Sequence, residues 1–231
     1  MAARAWLQLL VFAAAAATAG CASGPTQKPD AAETTDLLAA FEGVDIEQIV
    51  AAGDAAAAGR DYERALFIYT QALELDETAD TWYRTGKVYR QMGDKSAAWQ
   101  AFARALKLDP GHAGAHEQTG LLHLAMKQKE PAATHLQRAV ELDPSRWRAH
   151  NALGVIADVE KNYQRSIYHY NEALKARPES ALLLNNLGYS HYLAGNLTTA
   201  EQHFRMAIGI DPGYQPAHAN LGLVQARRRN Y

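Results

Sequence analysis

The sequence predicts an all-α chain assembled from helix-turn-helix repeats, and three observations carry that prediction. Glycine returns at Gly53, Gly86, Gly120, Gly154, Gly188 and Gly222, always 33 or 34 residues apart. The frame around it returns as well. A small residue follows the first five glycines (Ala65, Ala98, Ala132, Ser166, Ala200), then a large apolar one (Tyr69, Phe102, Leu136, Tyr170, Phe204), then alanine (Ala72, Ala105, Ala139, Ala173, Ala207). Finally, a proline closes four of these units (Pro110, Pro144, Pro178, Pro212), with Glu77 in its place in the first. A period of this length marks stacked repeats, because one unit cannot bury its apolar face alone.

Within each unit the residue types dictate two antiparallel helices, A and then B. Glycine and alanine at fixed positions let two backbones approach closely, and the large residue fills the gap beside them. Helix B carries apolar residues at helical spacing, as in Ala98, Phe102, Ala105 and Leu106. The Leu-Asp-Pro closures end it, since the residue before proline is pushed out of the α region. Gly93-Asp94 and Gly195-Asn196 fall at the A-to-B turn, where glycine accepts positive φ.

Trp82, Gly86, Tyr89, Ala98, Phe102, Ala105 and Pro110 together resemble the tetratricopeptide pattern of W-x2-L-G-x2-Y, A-x3-F and P. The other units keep the small positions and relax the large ones, with His116, His150 and His218 in the tryptophan slot. The resemblance covers residues 46–231, as repeats 46–78, 79–112, 113–146, 147–180, 181–214 and a half repeat 215–231. It implies a right-handed superhelical solenoid whose concave groove is lined mainly by the A helices.

The first residues follow a different logic. Arg4 and the apolar stretch Ala5 to Ala17 read as an export signal (residues 1–20), too short to span a membrane as a conventional helix. Thr18-Ala19-Gly20-Cys21 resembles a bacterial lipobox, although leucine is usual where Thr18 stands. That resemblance implies cleavage before Cys21, the only cysteine in the chain, and attachment of lipid, palmitate included, to it. Ala22 then implies sorting to the outer membrane, on its periplasmic face. Ala17-Thr18-Ala19 also reads as an ordinary A-x-A cleavage site, which would release a soluble periplasmic protein. Residues 21–35 are polar and aperiodic, as a flexible tether would be. Residues 36–45, containing Asp-Leu-Leu-Ala-Ala-Phe, read as a helix capping the first repeat.

A net charge of −2 and no long basic run exclude a nucleic-acid surface. Arg227-Arg228-Arg229 is the one basic cluster and reads as favourable charge at a helix C-terminus. Nine histidines invite a metal, but those in the tryptophan slot, and His123 and His191 in the tyrosine slot, sit at packing positions one repeat apart. His112 and His116 are four residues apart without a third ligand nearby. No phosphate loop, nucleophile elbow or paired CxxC appears. The expectation is therefore neither enzyme, nor cofactor, nor metal.

What remains is the groove. Its A-helix positions are polar in the second repeat (Asp80, Tyr83, Arg84, Lys87, Arg90, Gln91). They change character from the third repeat onward, to Leu121, Leu124, Asn151, Val155, Asn185, Asn186, Tyr189, Tyr192, Asn220 and Leu223. Asparagines beside apolar and aromatic surface suit an extended peptide, because each amide offers a donor and an acceptor to peptide backbone. The competing reading is that these asparagines bridge adjacent helices. Lys87 stands alone, which argues against the carboxylate clamp of chaperone-binding members.

With the lipobox, the size of the chain and the segment Leu184 to Gly195, the sequence looks most similar to the tetratricopeptide lipoproteins of tight-adherence (Tad/Flp) pilus assembly. That resemblance implies a secretin, or another pilus or secretion component, as partner. A pilotin of a type IV pilus or type II secretion system, an adaptor for cell-wall hydrolases or outer-membrane assembly, and an enzyme or small-molecule binder are the alternatives.

Overall fold

The computed structural model describes residues 45–229. The export signal, Cys21, the tether and nearly all of the predicted capping segment lie outside the described residues. Among the described residues all regular structure is α-helical, in eleven helices. They are α1 Ile46–Ala58, α2 Tyr62–Leu75, α3 Ala79–Met92, α4 Lys95–Leu108, α5 Ala113–Ala125 and α6 Lys129–Leu142. These are followed by α7 Trp147–Val159, α8 Tyr163–Ala176, α9 Ala181–Leu193, α10 Leu197–Ile210 and α11 Gln215–Arg229. None of them is long and apolar enough to cross a membrane. The chain forms two compact units, one ending at Ala115 and one beginning at His116.

The recurrent glycine works through space. An added Cβ would come within 2.5 Å of the Tyr69 ring at Gly53, 2.5 Å of Phe102 at Gly86 and 2.6 Å of Leu136 at Gly120. It would come within 2.6 Å of Tyr170 at Gly154 and 2.8 Å of Phe204 at Gly188. Each glycine is a notch in helix A that seats the large residue of its own helix B, and those residues are almost fully buried. At Gly222 the same Cβ meets nothing within 4 Å.

Local chemistry sets the helix ends. Asp61, Thr78, Asp94, Asn162 and Ser180 cap the following helices by accepting a backbone N–H. Before three of the four closing prolines the backbone turns extended, at Asp109, Asp143 and Asp211. In all three of these closures the aspartate then accepts the N–H two residues on, from Gly111, Ser145 and Gly213. Gly93 and Gly195 take φ +85° at the A-to-B turns as their sequence demands. Arg60, Lys127 and Lys161 adopt the same left-handed conformation at the other turns without glycine, so the turn type is imposed by the pairing of helices.

In the first unit, Glu77 stands where other repeats place proline. It accepts two hydrogen bonds from Arg104, both at 2.6 Å, and one from the Trp82 indole at 2.9 Å. The Arg104 guanidinium holds the Glu77 carboxyl below its ordinary range. Asp54 accepts from the Tyr69 hydroxyl at 2.6 Å and also from Arg84. The apolar clusters of the second unit interleave A and B helices, as in Leu136 and Val140 of α6 with Leu153 and Ile156 of α7.

Candidate functional site

All ten predicted groove residues fall in the second unit, on α5, α7, α9 and α11. Four of them make one continuous chain of amides. Asn220 Nδ2 donates to Asn185 Oδ1 at 2.9 Å, Asn185 Nδ2 to Asn186 Oδ1 at 3.3 Å, and Asn186 Nδ2 to Asn151 Oδ1 at 2.9 Å. The chain runs across three successive A helices, α11, α9 and α7. Two residues of α9 are recruited because neighbours one position apart can reach opposite flanking helices. The direction of the amides follows from the network itself.

Asn185 is buried in the middle of this ladder, while Asn151, Asn186 and Asn220 are half-buried. Beside it stand Val155 at 42% exposure, Tyr189 at 37% and Leu223 at 45%, one from each of the same three helices. Tyr189 and Tyr192 stack with ring centroids 6.1 Å apart. Arg227 lies over the Tyr192 ring at 5.2 Å and donates to its carbonyl at 3.1 Å. Leu121 and Leu124 are less available, because both pack on the core of α6 and α7. Tyr192 likewise packs against Phe204 and Val224. The strip of exposed apolar surface along the ladder is therefore narrower than the list of ten residues.

A second polar tie binds the same helices. Ser190 Oγ of α9 donates to both carboxylate oxygens of Asp158 on α7, at 2.7 and 2.9 Å. The Tyr170 hydroxyl of α8 reaches the same carboxylate at 3.1 Å. Burial first, and the Asp158 charge second, push the Tyr170 hydroxyl well above the ordinary phenol range. This node was not anticipated from the sequence, since a serine and an aspartate far apart in the chain carry no periodic mark.

The polar A-helix residues of the second repeat behave differently. Asp80 binds Arg84 at 2.8 Å, Arg84 also binds Asp54, and Lys87 lies over the Tyr83 ring at 5.4 Å. In the first unit Asp80, Arg84 and Lys87 are thus engaged within the protein.

The sequence reading also passed over a column of histidines. His135, His169 and His203 follow one another at the repeat period on the B helices, each meeting an A-helix histidine of its own repeat. His116 Nδ1 lies 3.0 Å from His135 Nδ1, and His150 Nδ1 lies 3.1 Å from His169 Nδ1. His191 stacks on His203 with centroids 5.4 Å apart. The signal was available, since each B-helix histidine immediately precedes the large residue of the repeat frame. Among the described residues no group of three or more histidine, cysteine or carboxylate ligands is arranged to hold a metal ion.

Comparison with known proteins places this geometry. Residues 79–112, and residues 117–181 with 169–215, match family models described as tetratricopeptide repeat. The TPR repeat-containing protein MJ1345 of Methanocaldococcus jannaschii is 37% identical over 51 residues, covering 22% of this chain and only 16% of that protein. Among solved structures, YrrB, described as a TPR protein with an unusual peptide-binding site, is 26% identical. It covers 79% of this chain and 96% of its own, with a TM-score of 0.62. The pilF protein of Pseudomonas aeruginosa is 17% identical over 80% of this chain and 91% of its own, at 0.64. MamA is 22% identical over 72% and 92%, at 0.59. The last two likenesses concern the fold alone.

Proposed function

The chain is a tetratricopeptide-repeat protein, and from that premise we propose that it is a non-catalytic scaffold whose second unit holds an extended segment of a partner protein. The observation that carries this reading is the amide ladder from Asn220 to Asn151 with Val155, Tyr189 and Leu223 exposed beside it. A partner main chain needs donors and acceptors at regular intervals, and the ladder supplies amides on three successive helices. The exposed apolar and aromatic side chains add burial, with the Tyr189 hydroxyl as a polar tip. The ladder and the three side chains beside it are uncharged, and Arg227 nearby is engaged by the Tyr192 ring and carbonyl, so the strip favours an uncharged segment over an acidic tail. The description of YrrB as a peptide-binding repeat protein supports the same reading.

The lipobox-like Thr18 to Cys21 supports an outer-membrane lipoprotein anchored at Cys21 with its repeats in the periplasm. Anchoring confines the scaffold and raises its effective concentration near membrane partners. Within that setting the proposed role is Tad/Flp-type pilus assembly, through localisation or assembly of the secretin. The resemblance of residues 184–195 to that group supports the choice.

Capture from envelope extract, with partners identified by mass spectrometry, tests the reading. Tyr189→Ala removes an exposed ring and leaves the ladder in place. It should reduce recovery of the partner at unchanged helicity, and undiminished recovery would rule out the groove. Cys21→Ala should shift the protein from the outer-membrane to the soluble or unprocessed fraction; unchanged sorting would rule out the anchor. Absence of secretin and other pilus components from the captured set would rule out the pilus role while leaving the scaffold standing.

A further inference from the structure

The histidine column has no part in the groove, yet it is repeated with the period of the fold. In the third and fourth repeats the tryptophan slot and the position before the large B-helix residue are both histidine: His116 with His135, and His150 with His169. In the second repeat the same two positions hold Trp82 and Ala101, both buried. A large and a small residue in one repeat are thus replaced by two imidazoles in the next two. An imidazole pair with Nδ1 atoms 3.0 or 3.1 Å apart is held by a single shared N–H. Protonating both rings would set two N–H groups against each other, in a buried pair at His150–His169 and a half-buried one at His116–His135.

We propose that the His116–His135 and His150–His169 pairs are an acid-sensitive latch that loosens the third and fourth repeats when both rings of a pair become charged. The latch closes α5 on α6 and α7 on α8, and α7 also carries Asn151 of the ladder. Loosening α7 would release a bound segment, a consequence that rests on the groove reading above; the latch itself does not.

The surroundings favour the neutral pair. Burial, then His150 and Arg165, push His169 down to about 4, against partial opposition from Glu172. His150 is lowered by burial and by Lys175, and raised by Glu172 and by the nearby Pro144 carbonyl. Glu172 is itself engaged by Lys175 at 2.7 Å, which blunts its pull on the pair. The Tyr168 ring lies edge-on to His169, with centroids 5.2 Å apart. Around the other pair, His135 is lowered by burial and then by His116 and His123. His203 and His191 are lowered by burial too, His203 also by His191. The sign follows. A histidine whose folded pKa lies below its unfolded value takes up protons first in the unfolded chain. Its contribution is intact above the unfolded value of 6.5 and fades as the pH falls from there towards about 4. For His169 alone, the folded-to-open ratio falls roughly 30-fold between about pH 7.5 and about pH 5.

Native-state hydrogen exchange, corrected for intrinsic rates, resolves this helix by helix. Protection of α7 and α8 should fall at least roughly 30-fold over that pH interval, as worked above for His169, and protection of α5 and α6 should fall in the same direction. Protection of α1 to α4, which contain no histidine, should change far less. The quadruple variant His116→Trp/His135→Ala/His150→Trp/His169→Ala transplants the second repeat's solution and should abolish the difference. Should it fail to fold at neutral pH, His135→Gln/His169→Gln keeps a donor–acceptor pair that cannot become doubly charged, and is expected to reduce the difference in the same direction. Equal loss in wild type and variant, or no loss in wild type, would overturn the latch. A pH-independent partner recovery alongside intact exchange behaviour would instead count against the groove.

Discussion

Gly86 and Gly222 occupy the same register position, and the structure predicts opposite effects for the same substitution at the two. Gly86→Ala places a Cβ 2.5, 2.7 and 3.0 Å from three ring atoms of Phe102, where ordinary contact begins at 3.4 Å. Phe102 is fully buried and its ring lies 6.1 Å from that of Tyr83, so it has no solvent side to withdraw to. Overpacking of this kind costs about 1–3 kcal/mol, and the gain in helix propensity returns only about 0.5–1 kcal/mol. The net expectation is a loss of about 1–2 kcal/mol. At Gly222 the added Cβ meets nothing within 4 Å, so only the propensity gain of about 0.5–1 kcal/mol remains. Urea unfolding followed by far-ultraviolet circular dichroism measures both, and hydrogen exchange assigns each effect to its own unit. A Gly86→Ala protein as stable as the wild type would refute the claim that the periodic glycine is a packing notch.

Lys161 holds φ +59° at the α7–α8 turn. Lys161→Gly should therefore stabilise the second unit by about 0.5–1 kcal/mol, read from the same urea midpoint, because glycine escapes the Cβ clash of the left-handed region. Glu77→Gln should cost the first unit about 1–2 kcal/mol at neutral pH, by weakening the bidentate Arg104 contact. Because the Glu77 carboxyl is held below 4.5 in the folded state, its contribution is present above that value and disappears as the pH falls through the folded one. The glutamine variant should lack that acid step in a pH series of melts. Ser190→Ala removes the only hydroxyl that ties α9 to Asp158 among the described residues. A loss of about 1–3 kcal/mol is expected in chemical denaturation, since a hydrogen bond to a charged group is broken in a buried setting. Asn185→Ala breaks the centre of the ladder and should lower stability by about 1–3 kcal/mol, whereas Tyr189→Ala should lower partner capture without shifting the denaturation midpoint.

The repeats were legible in the sequence because one physical constraint is paid in every unit by the same residue type. A notch needs glycine, its filler needs a large side chain, and the closure needs proline, so Gly86, Phe102 and Pro110 announce themselves by spacing. The left-handed turns were legible only where glycine marks them, at Gly93 and Gly195. Arg60, Lys127 and Lys161 adopt the same conformation under tertiary pressure, which no local propensity records. The groove residues were located by register, yet register says nothing about which asparagine reaches which. Asn185 and Asn186 differ by one position and serve different neighbouring helices, a fact fixed by the spacing of α7, α9 and α11. The Ser190–Asp158 tie has no sequence signal at all. The histidine pairs did have one, in His135, His169 and His203, but they became visible only when the A-helix and B-helix registers were read together.

The ladder also resolves what first looked like a choice between two roles for its asparagines. Bridging adjacent helices and meeting a partner are competing uses for a single hydrogen-bonding atom, not for a row of amides. Asn185, buried at the centre, has both its oxygen and its nitrogen engaged, so its work is to set the spacing of α9 against α11 and, through Asn186, against α7. At the ends, Asn151 is bonded through its oxygen and Asn220 through its nitrogen, and both residues are half-buried where Asn185 is buried. A row of amides fixed at its centre and less buried at its ends presents polar groups whose positions are set before any partner arrives, and pre-set geometry lowers the ordering cost of binding. Val155, Tyr189 and Leu223 project from the same three helices, so their spacing is inherited from the ladder. Internal bridging is what the structure shows for these asparagines, and under the proposed groove reading it is also what pre-sets the polar groups that a partner chain would meet.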